Sequence, residues 1–308
     1  MSTVTKKVID TYARKNDLQG LTKPSLISII EKKQGYSIDT ARRFLQFQKR
    51  INDELLTHNV IINNHFTRWF RNGDMSEAQI KAFVVQFSVF SNLFLIAQLY
   101  KMINADSLES MRASKEILAN EIGVVFNPVS RKEPKDVIGD VSDPQLVSTE
   151  GTVEGGTFRF KAAHFEWLLI LAEKLGLYFN DIGKRRHGID STLLFCDELV
   201  RLYGSTDYLT SQAASYAVEN WAAAGFWDEL VEGFEIYNRN SGANLPLSFF
   251  SWHSKLETQH ALHTQEELEE LYFETEIDED KFIRIGNEML DGVATFWSGL
   301  NAQRQQIQ

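Results

Sequence analysis

One short segment, Ser251-Trp252-His253-Ser254-Lys255-Leu256-Glu257-Thr258-Gln259-His260, carries two imidazoles and a carboxylate at spacings of four and three residues. In a helix turning about 100° per residue, His253, Glu257 and His260 fall within an arc of about 60° on one face. Burying such a stripe is costly unless something positive satisfies it. Two neutral imidazoles and a carboxylate suit a divalent iron or manganese ion, and mixed nitrogen and oxygen ligation with open positions is the usual arrangement for iron–oxygen chemistry. The plain alternative is a polar helix face left in water.

One stripe does not complete a metal site, so other helices must contribute. Glu121 stands in Leu-Ala-Asn-Glu-Ile-Gly at the end of an apolar helix, His164 in Phe-Lys-Ala-Ala-His-Phe-Glu-Trp, and Glu219 in Tyr-Ala-Val-Glu-Asn-Trp-Ala-Ala-Ala. Each alone reads more simply as a surface or satisfied position. Together with the 253–260 stripe they make three carboxylates and three histidines, enough to hold two divalent ions. A ferritin-like di-iron bundle needs two Glu-x-x-His motifs, and only Glu257-Thr258-Gln259-His260 has that spacing. The His-Glu-x-x-His of a zinc peptidase is absent.

The elements that must position these residues read as helices. Two short amphipathic stretches occupy residues 6–35. A long helical segment is expected from Ser37 to about Arg71, and Asn72-Gly73-Asp74 breaks it. Ser76 then opens a capping box. The helix that follows carries Phe83, Phe87, Phe90 and Phe94 at helical spacing, a stripe that reads as core packing before it reads as a pocket wall. Further helices are expected over 107–123, 160–177, 191–203, 208–239, 247–273 and 279–303. Residues 125–157, with Pro128, Pro134, Pro144 and four glycines, read as a long charged loop, either a cover over the site or a plain insertion. The basic turn Lys184-Arg185-Arg186-His187 reads first as a solvated loop and second as a seat for an anionic substrate. No segment shows convincing strand alternation.

Composition sets the outer bounds. The chain has 308 residues, 43% hydrophobic and 24% charged, with only 5 prolines, which suits a helical globular protein. A formal charge of −10 disfavours a nucleic-acid role, since phosphates would be repelled. The single cysteine excludes an internal disulfide and a multi-cysteine zinc site. No signal-peptide core and no apolar run near the ~20 residues of a membrane span are apparent, so the expectation is a cytoplasmic protein without membrane or nucleic-acid partners.

The stretch from Asn64 to Gly123, with His-Phe-Thr-Arg-Trp-Phe-Arg-Asn-Gly-Asp-Met-Ser, then Gln-Phe, then Asn-Glu-Ile-Gly, resembles the opening of the haem-oxygenase-like superfamily. That group includes the thiaminase-like TenA proteins and the PQQ-synthase-like proteins. The His-x-x-x-Glu-x-x-His helix, with Glu, His and Glu from earlier helices, resembles its di-iron oxidases and oxygenases. The resemblance covers roughly residues 40–275. It implies an all-α bundle over 37–308 with the 125–157 insertion, preceded by a helical extension over 1–36. It implies two Fe(II) ions, with manganese as the alternative, on Glu121, His164, Glu219, His253, Glu257 and His260. It also implies O2 as co-substrate, an external electron donor, and oxidation of a small amine, amino-acid or fatty-acid-like compound; a homodimer stays open. Two features depart from the family: Glu257 replaces the more usual Asp, and the 125–157 segment stands where members often have only a few residues. The competing readings are a metal-independent TenA-like or PQQ-synthase-like enzyme and a non-catalytic helical interaction protein.

Overall fold

The computed structural model describes residues 5–128, 146–153, 156–161 and 164–307, with side chains described except at 109, 113, 116–117, 120, 124–161 and 255–263. Two short helices, α1 (Lys6–Asn16) and α2 (Lys23–Ile30), come first, and Ile9, Ala13, Leu26 and Ile29 bury their apolar faces in the main core. The long helix expected from Ser37 to Arg71 is three helices: α3 (Ile38–Glu54), α4 (Asn59–Ile62) and α5 (His65–Phe70). Local hydrogen bonds cause the breaks. His58 Nδ1 accepts from the Val60 N–H at 3.3 Å, and Asn64 Oδ1 accepts from the Phe66 and Thr67 N–H groups at 3.0 and 3.3 Å, so each side chain starts a new helix.

The expected capping box is present, with Gln79 N–H on Ser76 Oγ and Ser76 N–H on Gln79 Oε1. It starts α6 (Glu77–Ile103), the central helix, whose Phe83, Phe87 and Phe90 are 2%, 0% and 7% exposed. That settles the aromatic stripe as core. By length and composition alone α6 is apolar enough to cross a membrane, contrary to the expectation that no run is, but half of its most apolar window is buried inside the protein.

After α7 (Leu108–Glu121) comes the main departure from expectation. Residues 124–161 contain β1 (Val124–Pro128), β2 (Leu146–Val153) and β3 (Gly156–Lys161), an antiparallel sheet in the order β1-β3-β2. Of the prolines and glycines that signalled a loop, Pro128 ends β1 and Gly156 begins β3, Gly151 lies within β2, and a register irregularity between Val147 and Glu150 breaks the alternation of β2. The rest of the expected cover, 129–145 and 154–155, lies outside the described residues. Because β3 takes Phe160 and Lys161, α8 begins later than expected, at His164, and runs to Lys174.

Next come α9 (Asp190–Glu198), a π-helical turn over Leu199–Tyr203, α10 (Tyr208–Ala222), α11 (Phe226–Ser241), α12 (Ser248–Glu274) and α13 (Glu279–Gln306). The single helix expected over 208–239 is interrupted at Gly225, whose φ of 94° ordinary side chains rarely adopt. Helices α7, α8, α9 and α13 and the π turn all pack on α6, while α12 touches α3, α8, α10 and α11. The bundle is all-α apart from the small sheet.

The N-terminal helices are tied down by one buried carboxylate. Glu269 on α12 is fully buried; it accepts from the Thr22 N–H at 3.0 and 3.1 Å and from Thr22 Oγ at 2.9 Å, at the start of α2. Burial raises its pKa despite these bonds. A raised carboxyl pKa favours the fold below the unfolded value, and that contribution is lost as pH rises through the folded value. Glu269→Ala should therefore cost about 1–3 kcal/mol by stranding the Thr22 donors. Glu269→Gln, which keeps an acceptor and removes the charge, should match or exceed wild type at pH 7 and lose that advantage in acid. Urea unfolding at both pH values checks the pair.

Candidate metal centre

Glu121 is the last residue of α7 and His164 the first of α8, and the sheet lies between them in sequence. The β1–β3 pairing, with Val124 opposite Phe160, closes that excursion and returns the chain to its starting point. His164 Nδ1 consequently lies 2.6 Å from Glu121 Oε2. The ends of the segment expected as a loop, 125–157, are thus joined by a strand ladder.

His253 on α12 completes a group in which one ligand atom each from Glu121, His164 and His253 lie within 4.8 Å of one another. Both histidines are 9% exposed. The His253 Nδ1–H donates to the Phe249 carbonyl at 2.7 Å. A carbonyl can only accept, so the proton is on Nδ1 and the lone pair of the ring is on Nε2. Three aromatic side chains fix the rings. Trp227 stacks on His253 at 4.4 Å, Phe249 tilts against it at 4.4 Å, and Trp167 stacks on His164 at 5.6 Å; the two imidazole centroids are 4.5 Å apart.

The close pair is chemically suited to a shared ion. His164 Nδ1 is buried and receives no hydrogen bond of acceptable geometry, although the Glu121 oxygen is at contact distance. A shared cation is one way to satisfy a buried imidazole nitrogen and a carboxylate oxygen held this close. Donors on one ion at about 2.0–2.2 Å are separated by at most about 4.4 Å, so the group closes on an ion with small side-chain adjustments. Two imidazoles and a carboxylate are the donor set that divalent iron accepts.

The other three expected ligands stand differently. Glu219 on α10 is 7% exposed, as a functional carboxylate should be, but does not join the three-residue group. Glu257 and His260 lie within α12, one and two turns beyond His253, and their side chains are outside the described residues. The basic turn is spent internally. Arg185 makes two bonds of 2.7 Å to Asp197, Arg186 and His187 reach the Asn180 carbonyl, and Lys184 covers the Phe179 ring at 4.1 Å. The buried Cys196 thiol is pushed up to about 12 by burial, which removes it as a nucleophile at neutral pH. Sequence reasoning missed the ring packing around the histidines. Phe249, four residues before His253, and Trp167, three residues after His164, were local hints at helical spacing; Trp227 carries no sequence signal that ties it to His253.

No family model matches the chain, and no curated protein is similar to it. Its structure is similar to the crystal structure of a domain of unknown function with a heme oxygenase-like fold from Shewanella denitrificans OS217. The TM-score is 0.54 at 13% identity, over 86% of this chain and 92% of that one. The fold is haem-oxygenase-like, an all-α architecture that many enzymes share.

Proposed function

We propose that this protein is a non-haem iron-dependent oxidoreductase that uses O2 to oxidise a small organic substrate, with two ions held by Glu121, His164, Glu219, His253, Glu257 and His260. The observation that carries the reading is the meeting of Glu121, His164 and His253, from three separate helices, within 4.8 Å in the interior. The contact of His164 Nδ1 with Glu121 Oε2 at 2.6 Å supports it, since both atoms can turn their lone pairs to one ion. Bound iron would supply the redox chemistry with O2, drawing electrons from an external donor. The chain's own residues hold the ligand geometry. Phe249 fixes the His253 tautomer through its carbonyl, while Trp227 and Trp167 pin the imidazole planes and exclude water from one side.

Anaerobic titration of the metal-free protein with Fe(II) tests this directly. About two equivalents bound per chain is the expected result. One equivalent would cancel the second ion and leave a single site on Glu121, His164 and His253; no binding overturns the proposal.

A further inference from the structure

Between the junction of α4 with α5 and the turn from α10 into α11 lies a cleft of about 210 Å³ that none of the proposed metal ligands lines. Its buried lining includes Asn64 and Trp221, 8% and 2% exposed. The Asn64 Oδ1 is spent on the cap of α5, but its Nδ2 has no hydrogen-bond partner, and neither has the Trp221 Nε1. Both groups only donate, so neither satisfies the other. The start of α11 adds more donors. Gly225 and Phe226 line the cleft, no side chain caps the helix, and a Cβ built on Gly225 would meet nothing within 4 Å. Arg68 lines it too. Its guanidinium donates to Asn63 Oδ1 at 2.5 Å and to the Ile62 carbonyl at 2.9 Å, and among the described residues it has no carboxylate within ion-pair distance. The Phe226 ring stacks on Trp221 at 4.7 Å and meets Trp227 at 4.5 Å, and Trp227 stacks on His253. The cleft is therefore a place apart from the candidate metal centre, linked to it through two rings.

A buried donor left without an acceptor costs about 1–3 kcal/mol, and two of them meet at one cleft. The volume is well beyond the ~10–15 Å³ that a single water needs. Two side-chain N–H groups, an uncapped helix N-terminus and a guanidinium all call for the same thing, an oxyanion. Glu229, one turn into α11, is the only carboxylate that lines the cleft. Its charge opposes a doubly charged phosphate and tolerates a single negative charge more readily. The two oxygens of a carboxylate supply the acceptors, and Val60 and Ile61 of α4 offer apolar surface to a short carbon chain.

We propose that Asn64, Arg68, Trp221 and the start of α11 bind the carboxylate of a small organic acid at a site separate from the metal centre. The binding stands whether or not the chain takes up iron. Asn64 serves twice there: its oxygen starts α5 and its nitrogen holds the ligand.

Calorimetric titration of the full chain with formate, acetate, propionate and butyrate, with alcohols and amines of matched length, and with inorganic phosphate tests the site. At least one carboxylate should bind, with the matched alcohol, the matched amine and phosphate each roughly tenfold weaker or worse. Asn64→Asp is the decisive variant. Aspartate caps a helix about as well as asparagine, so the fold is kept, while the donor becomes a second acceptor. It should weaken the carboxylate roughly a hundredfold with little change in Tm. Trp221→Phe keeps a ring against Phe226, removes the N–H and should weaken binding roughly tenfold. Glu229→Gln removes a like charge and should tighten it. Should Trp221→Phe fail to fold, Asn64→Asp and Glu229→Gln carry the comparison. A cleft that holds only water gives no binding with any carboxylate, and that result overturns the proposal. So does phosphate binding more tightly than every carboxylate, or equal carboxylate binding by wild type, Asn64→Asp and Glu229→Gln.

Discussion

His253→Phe should yield a folded protein whose iron affinity falls roughly a hundredfold or more. Changing only a residue that supports a ligand typically costs ten- to a hundredfold in metal affinity, and here a ligand itself is lost. Phenylalanine is the informative replacement because His253 packs between Trp227 and Phe249, each at 4.4 Å, and a ring retained there preserves the packing. His253→Ala would open a cavity in that stack and cost about 1–3 kcal/mol of stability as well. The sequence alone suggests a cost-free removal of a crowded polar group; the surrounding rings say otherwise. The contrast is His58→Ala. His58 caps α4 and meets Asp291 at 3.2 Å, and it is not among the proposed ligands. That variant should lose about 1 kcal/mol from the cap and keep its full iron content. Iron analysis with urea unfolding on the three variants checks the pattern, and equal iron in wild type and His253→Phe would remove His253 from the site.

Replacing residues 124–161 by a Gly-Ser chain of equal length should weaken iron binding roughly tenfold or more. The connection between Glu121 and His164 survives in that variant, but the β1–β3 ladder that closes it does not, and the closure entropy then falls on the metal. Keeping β1 and β3 and joining Pro128 to Gly156 through Asn-Gly should preserve iron binding, because the ladder and its ends remain. The two variants separate a clamp from a cover. If both bind iron as wild type does, α6, on which α7 and α8 both pack, positions the ligands unaided. If the second keeps its iron but consumes O2 without forming product, the removed residues shield the site.

Features governed by neighbours a few residues apart were legible in the sequence. The Ser76 capping box, the α12 helix with His253 on it, the core role of the Phe83–Phe87–Phe90 stripe and the all-α architecture follow from helical period and local hydrogen bonding. The same local reading also contained a strand that was passed over: Thr157-Phe158-Arg159-Phe160-Lys161 alternates apolar and charged residues, though prolines and glycines nearby pointed to a loop. The breaks at His58 and Asn64 were hidden because the apolar spacing runs on through them, while the side chains that end the helix bond only to their own backbone.

What the tertiary structure alone decided is which polar residues meet. Glu121 and His164 are 43 positions apart in the numbering, and the antiparallel pairing of β1 with β3, together with the packing of α7 and α8 on α6, places them 2.6 Å apart. Lys101 stands near the end of the apolar α6. Packing of the π turn against α6, and of α10 against the π turn, buries it beside Ser215 and Tyr203. Helical period fixes which residues share a face; which face is covered, and by what, depends on contacts between elements far apart in the chain.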